Sequence, residues 1–126
     1  MSGRAKIVSG SLALSILLAG CATSMSAKDI RALPAKRMVT QVKLNEVAQC
    51  LRNNLGDDTS VVTYPDGRVE IGIGNRTSAG QFDYVYLVSL TGKADGTSIE
   101  LRKTGAWFPQ LSPHELDAET KACARI

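Results

Sequence analysis

The chain has 126 residues, of which 44% are hydrophobic and 21% charged, and its formal net charge is +3. This length allows one domain with a modest core, and the composition is globular, which excludes a second domain and a disordered chain. Removing Arg4 and Lys6, which lie in a predicted leader, from the 15 basic residues leaves 13 against 12 acidic ones. A surface this close to neutral argues against a nucleic-acid partner and against steering towards anionic lipid.

Residues 1–20 have the layout of a secretory signal peptide. A basic start with Arg4 and Lys6 precedes an apolar run that ends at Leu18, and small residues follow it. The run is shorter than the ~20 residues that a transmembrane helix needs. We therefore expect a leader that is cleaved off rather than a membrane span.

The residues Leu18-Ala19-Gly20-Cys21 resemble the lipobox of bacterial lipoproteins. The resemblance covers only the leader and its junction. It implies that lipid is attached to the thiol of Cys21 and that cleavage frees an amino group for a further acyl chain such as palmitate. Each buried methylene then contributes ~0.8 kcal/mol to a membrane anchor. Lipoproteins retained at the inner membrane commonly carry aspartate after this cysteine, so Ala22 implies the outer membrane, with the domain on its periplasmic face.

Residues 21–40 begin small and polar and settle into neither a helical nor an alternating period. We expect them to form a lipidated N-terminus and flexible tether that holds the domain ~25 Å from the lipid. Their basic residues are expected to be solvated, because no apolar stripe accompanies them. These residues are Lys28, Arg31, Lys36 and Arg37.

The globular domain is predicted to span residues 41–126 and to begin with an amphipathic helix. Leu44, Val47, Leu51 and Leu55 recur at helical spacing, and Gly56 supplies the stop. A last helix is predicted from Pro113 to about Arg125.

The last helix has a strong start signal. Ser112 is the predicted N-cap, Pro113 takes the first helical position, and Glu115 completes a capping box.

Four strands are predicted between these helices. The turn Pro65-Asp66-Gly67 joins residues 59–64 to residues 68–74, and a turn at 93–96 joins residues 81–90 to residues 97–104. Connections this short do not allow parallel crossovers, so an antiparallel meander is expected. The predicted fold is α+β, in the order α-β-β-β-β-α, with both helices packed on one face of a four-stranded antiparallel sheet.

Cys50 and Cys123 remain as an even pair once Cys21 carries lipid. Export places them in an oxidising compartment, so we expect a structural disulfide between the two helices. Closing a loop of about 74 residues lowers the entropy of the unfolded chain, which stabilises the fold by ~4 kcal/mol. A redox or zinc site is disfavoured, because no Cys-x-x-Cys spacing exists and His114 is the only histidine.

No catalytic site, metal or cofactor is expected. His114 lies at the exposed start of the last predicted helix, without the positioned partner that a general base needs. The segment Gly72-Ile73-Gly74-Asn75-Arg76 lacks the ending of a phosphate-binding loop. Asp57 and Asp58 lie at a helix-to-strand junction, where aspartate favours turns.

Two features are candidate binding surfaces. Gly72 and Gly74 fall on the side of their strand opposite the apolar residues, which would leave bare backbone facing water. The alternative is a β-bulge. Trp107 and Phe108 form an aromatic pair in an irregular segment, and Trp is enriched at interface hot spots. The alternative is that both residues cap the core.

These features predict a non-catalytic protein anchored to a membrane. It would be an interaction or structural module that binds another envelope protein. The other possibility is a small-ligand or cell-wall-binding module that uses the Trp107 region.

Overall fold

The computed structural model describes residues 23–126. They form three helices and a five-stranded antiparallel sheet of order β1-β5-β4-β3-β2. The elements are α1 (Ala27–Arg31), β1 (Lys36–Thr40), α2 (Leu44–Leu55), β2 (Thr59–Thr63), β3 (Val69–Arg76), β4 (Phe82–Lys93), β5 (Gly96–Lys103) and α3 (Pro113–Ala124). The α+β class is confirmed, and the predicted count of four strands and two helices is wrong.

The fifth strand, β1, comes from the segment that was expected to be a tether. It pairs antiparallel with β5, so that Met38 lies opposite Ile99. Only Met38 and Thr40 of its five residues are buried. Two inward residues are too few to establish an alternating period in the sequence, which is why the pattern does not predict the strand.

The extra helix, α1, comes from the same segment. Its N-cap is Ser26, whose side chain accepts a hydrogen bond from the Asp29 backbone amide at 3.3 Å. Ile30, in its last turn, is fully buried. From Met25 onwards the expected tether is therefore part of the domain. Cys21 and Ala22 lie outside the described residues.

Helices α2 and α3 pack together on one face of the sheet, as the pattern predicts. Leu51 and Leu116 are fully buried there, and each such side chain contributes about 1.5–3 kcal/mol of hydrophobic stabilisation. The strands supply the other half of this core, with side chains that include Ile71, Ile73, Val88, Leu90 and Ile99.

The disulfide between Cys50 and Cys123 is confirmed, and it joins α2 to α3. The two Cα atoms lie 5.6 Å apart, and the residues are separated by 73 positions in the sequence. The side-chain amide nitrogen of Asn54 lies 3.6 Å from each of the two sulfur atoms.

The capping box at the start of α3 is also present. The Glu115 amide donates to Ser112 Oγ at 3.1 Å, and the Ser112 amide donates to Glu115 Oε1 at 2.9 Å. The hydrogen bond from the Ser112 backbone lowers the pKa of the Glu115 carboxyl.

The face of the sheet away from α2 and α3 is here called the distal face. Helix α1 lies across part of it, where Ile30 packs with Tyr84 and Leu87. A β-bulge in β4 directs Tyr84 to this face: Ile73 lies opposite Tyr86 and Gly74 lies opposite Tyr84, which leaves Val85 as the extra residue. None of the three described helices covers the rest of the distal face. No helix within residues 23–126 is long and apolar enough to cross a membrane.

Candidate functional site

Gly72 and Gly74 are buried, so the expectation that they present open backbone to water is wrong. The Tyr84 ring lies over Gly72, where an added Cβ would be 2.7 Å from Tyr84 Cδ2, and the Asp83 backbone closes on Gly74. The pattern assigned the two glycines to the correct side of β3. The sequence gives no sign that Tyr84 covers this side. A bulge is present at Gly74, although its extra residue is on β4.

Trp107 and Phe108 do not act as a pair. Phe108 is buried in the helix-side core, where its ring meets that of Tyr86 edge-on at a centroid distance of 6.1 Å. Trp107 is 87% exposed. Of the two aromatic residues, only Phe108 therefore packs on the core, and Trp107 remains a candidate for a binding surface.

The other sequence-derived residues lie apart from any shared site. His114 is exposed at the start of α3, and Cys50 and Cys123 are joined in the disulfide. Cys21, the predicted lipidation site, lies outside the described residues.

The uncovered part of the distal face is polar and contains a small cleft of about 160 Å³, here called the arginine cleft. Three guanidinium groups and two carboxylates approach it from α1, the start of β3 and β5, and two hydroxyl side chains come from β4. The cleft is lined by Arg31, Arg68, Val69, Glu70, Ser89, Leu90, Thr91, Glu100 and Arg102.

The register of the sheet brings these residues together. Glu70 lies opposite Ser89 in the pairing of β3 with β4, and Ser89 lies opposite Glu100 in the pairing of β4 with β5. Glu100 in turn lies opposite Arg37 of β1. Because side chains of directly paired residues project from the same face of a sheet, four adjacent strands contribute one polar row.

Glu70 is the centre of the cleft, and its side chain is only 8% exposed. Arg31 donates from Nη2 to Glu70 Oε1 at 2.7 Å and from Nε to Oε2 at 3.0 Å. The Tyr64 hydroxyl also donates to Glu70 Oε1, and it accepts a hydrogen bond from Arg31 Nη2 at 2.8 Å. A forked guanidinium-carboxylate pair of this kind fixes both groups in position.

The network keeps its members in fixed charge states. Burial alone would raise the pKa of Glu70, but hydrogen bonds from Arg31 and Tyr64 outweigh it and hold that pKa below its ordinary value. The hydrogen bond to Glu70 raises the pKa of Arg31 and also that of Tyr64. At neutral pH the cleft therefore presents an ionised carboxylate, a guanidinium and a neutral phenol.

A second charged group forms the opposite wall of the cleft. Glu100 accepts from Arg37 Nε at 2.9 Å, and Arg102 Nη1 lies 3.6 Å from its other oxygen. Arg102 Nε also donates to the Leu33 carbonyl at 3.0 Å, which ties the connection between α1 and β1 to the sheet. The side chain of Arg102 is 15% exposed and that of Arg37 is 76% exposed.

The charged groups of the cleft offer contacts of a defined chemistry. Planar guanidinium groups held by carboxylates present donors in fixed directions, which favours partners that carry carboxylate, amide or backbone oxygen atoms. The Ser89 and Thr91 hydroxyls lie among these charges with no histidine lining the cleft to activate them. Within residues 23–126 no group of three His, Cys, Asp or Glu side chains is arranged to hold a metal ion.

The pattern of the sequence does not predict this cleft. Arg31 belongs to the segment expected to be a tether, and Glu70 alternates along β3 as an ordinary solvent-facing residue would. One local signal was present: Ser26 followed three residues later by Asp29, just before Ile30, is a helix-start pattern. Nothing local connects that helix to Glu70, which is 39 positions from Arg31.

Comparison with models of known protein families, with curated proteins and with solved structures gives no match to this chain.

Proposed function

We propose that the protein is a lipid-anchored lipoprotein on the periplasmic face of the outer membrane and acts there as a non-catalytic interaction module of the cell envelope. The anchor rests on the lipobox resemblance at Cys21. The interaction role rests on the arginine cleft, in which a buried carboxylate and its partners hold charged side chains in fixed positions on an open sheet face. Ordered charges that need no rearrangement favour specific docking of a polar partner.

The size of the cleft favours a protein partner over a small ligand. Small-molecule sites usually enclose about 300–1,000 Å³ and are mostly apolar. The arginine cleft offers about 160 Å³ and is lined largely by charged and hydroxyl side chains. A small, charged cleft of this kind is typical of the polar parts of protein interfaces. We therefore place the partner's contact on the cleft and on the adjoining strands β1 and β5.

The anchor is tested with Cys21→Ser in the full-length chain. The thiol is the attachment point, so the variant should take up no acyl label and should not be processed at Cys21. Metabolic labelling with a fatty acid, followed by separation of the inner and outer membranes, measures this. A Cys21→Ser protein that is shortened and acyl-labelled like the unsubstituted chain would exclude the lipobox.

The interaction role is tested by removing exposed charges around the cleft. Arg37→Ser combined with Arg68→Ser takes away two half-exposed or exposed guanidinium groups while leaving Glu70 and Arg31 in place. Surface ion pairs contribute ~1 kcal/mol or less, so folding should be preserved. Recovery of the cross-linked partner from membranes should fall about tenfold, which corresponds to ~1.4 kcal/mol of binding energy.

The matched control makes the same change in charge elsewhere. Arg52 on α2 and Lys93 at the end of β4 are exposed and do not line the cleft. Arg52→Ser combined with Lys93→Ser should leave partner recovery unchanged. If partner recovery falls equally in the two double variants, net charge matters and the cleft does not. If partner recovery is unchanged in both, the cleft is not the docking surface.

A further inference from the structure

The part of the domain nearest to Cys21 is fixed by the first described backbone pairing. Met25 and Tyr84 exchange two hydrogen bonds, Met25 N to Tyr84 O at 2.9 Å and Tyr84 N to Met25 O at 2.8 Å. Cys21 is four peptide units before Met25. A chain extends by at most ~3.6 Å per residue, so the start of β4 lies within ~15 Å of the Cys21 backbone.

Trp107 lies at this same end of the sheet. Strand β5 ends beside the start of β4, where the Thr104 amide donates to the Val85 carbonyl at 3.0 Å. Trp107 follows Thr104 by three residues, which places its backbone within ~11 Å of that contact. The β3–β4 loop, closed by a hydrogen bond from Thr77 N to Gln81 O, is also at this end.

The residues on both sides of Trp107 are fixed to the domain. Ala106 N donates to Thr104 Oγ1 at 3.1 Å on one side, and Phe108 is buried in the core on the other. Among the exposed large hydrophobic residues of the described chain, Trp107 has the highest exposure, at 87%. Anchored neighbours leave its backbone little freedom, so an ordered contact costs little further entropy.

The two next most exposed large hydrophobic residues of the described chain lie at the opposite end. Val39 is paired with Ser98, near the start of β5, and Ile126 follows the end of α3, where the Ala124 carbonyl accepts from Thr40 Oγ1. These residues are 71% and 61% exposed. Within residues 23–126, Trp107 alone combines such high exposure with proximity to the predicted anchor.

We propose that the end of the domain carrying Trp107 lies against the lipid surface to which Cys21 is attached, with the indole inserted at the membrane-water interface. The proposal rests on the lipid anchor of the proposed function. Four residues of chain confine this end to the neighbourhood of the bilayer, and an indole, with its apolar rings and polar N–H, partitions to the interface of lipid bilayers. The arginine cleft, on the distal face, then remains open to periplasmic partners.

The chain contains a single tryptophan, so intrinsic fluorescence reports on Trp107 alone. The acylated protein is reconstituted into phosphatidylethanolamine-phosphatidylglycerol vesicles, with and without phospholipid brominated near the head of its acyl chains. Brominated lipid should quench the emission about threefold, and aqueous acrylamide should quench it less than in an unacylated chain that begins at Cys21 and so lacks the predicted leader. The effect should persist at high salt, because an indole contact is not screened.

A relocated tryptophan is the matched control. Trp107→Phe combined with Val39→Trp moves the reporter to the far end of the sheet, on an edge strand that tolerates a large aromatic residue. Its emission should be insensitive to brominated lipid, while the variant is anchored to the same vesicles.

The outcomes separate the two proposals. If the chain attaches to vesicles but Trp107 is as accessible to acrylamide as in the unacylated protein, the orientation is wrong and the anchor stands. Trp107 would then be free for a protein partner. If the chain carries no lipid and does not attach, the anchor and the orientation both fail. Equal quenching at positions 107 and 39 also overturns the orientation.

Discussion

Glu70 carries its charge where a lone carboxylate would be strongly destabilising. Its side chain is 8% exposed, and an unpaired charge at such a site costs several kcal/mol. Arg31 and Tyr64 offset this cost with directed hydrogen bonds. Because Arg31 is in α1 and Glu70 is in β3, the same bonds also hold α1 on the sheet.

Replacing Glu70 by glutamine should therefore destabilise the fold and loosen α1. Hydrogen bonds to charged groups contribute about 1.5–3 kcal/mol, and Arg31 is partly solvated, so we expect a loss of about 1–3 kcal/mol at pH 7. Denaturant unfolding measures it. Glu46→Gln, on the exposed side of α2, is the control and should be neutral.

The stability that is lost when Glu70 is replaced by glutamine should depend on pH. Hydrogen bonds hold the folded-state pKa of Glu70 below the ordinary value of 4.5, so the unfolded chain binds the proton more readily. The stabilisation by Glu70 is therefore present above about pH 4.5 and is lost as the pH falls through the folded-state pKa. The two proteins should converge in stability once the pH is below the folded-state pKa of Glu70. A difference that is constant with pH would mean that the charge of Glu70 contributes nothing.

Gly72 and Gly74 are required by contact rather than by positive φ, which neither residue has. Gly72→Ala brings a methyl group against the Tyr84 ring, and overpacking of this kind costs about 1–3 kcal/mol. Gly74→Ala should cost more, because the atom in its way is a backbone oxygen of Asp83.

The control for both glycines is Gly92→Ala, in the same sheet. The nearest atom to its added Cβ is Leu44 Cδ1 at 3.7 Å, an ordinary contact. This variant should stay within about 0.5 kcal/mol of the unsubstituted protein in denaturant unfolding. If Gly92→Ala lowers the free energy of unfolding as much as Gly74→Ala does, the cause is the β-propensity of the new residue and not a packing clash.

At the scale of elements, segments with a clear period, cap or turn were predictable, and α1 and β1 were not. Helix α2, helix α3 and the four meander strands each repeat their period several times or carry a capping box or turn. α1 and β1 have five residues each. They are stable through contacts with distant residues such as Glu70 and Ile99, which no local pattern records.

The candidate site was missed for the same reason. A buried glutamate and a solvent-facing one look alike in an alternating strand, and Glu70 is contacted by Arg31 of α1 and by Tyr64, which the alternation does not reveal. The disulfide was predictable, because the predicted export signal and the count of cysteines restrict the pairing without any knowledge of the sheet.

The role of α1 as part of the fold is tested with Ile30→Ala. Ile30 is fully buried between α1 and the sheet, and such truncations cost about 2–5 kcal/mol. Amide exchange at Met25 should become faster as the helix detaches. Lys28→Ala, on the exposed side of α1, should change neither quantity. A neutral Ile30→Ala variant would restore the tether as the description of this segment.

For the whole molecule, the disulfide joins the two helices that form one layer. Cys50→Ala and Cys123→Ala should each reduce the free energy of unfolding by about 2–4 kcal/mol, because either change opens the same loop. The double variant should lose little more than a single one, since the bridge is already absent. Additive losses in calorimetry would mean that each cysteine stabilises the protein through its own packing.

The pairing of β1 with β5 joins residues near the start of the domain to residues near its end, with Lys36 opposite Leu101. A chain exported from its N-terminus delivers β1 first, but β1 has no described partner strand other than β5. In the lipoprotein proposed above, the strand nearest the lipid would thus be the last to complete its ladder, because a domain with such long-range contacts forms slowly. Acylation and cleavage at Cys21 would then act on a chain in which β1, the first described strand after this residue, is still unpaired.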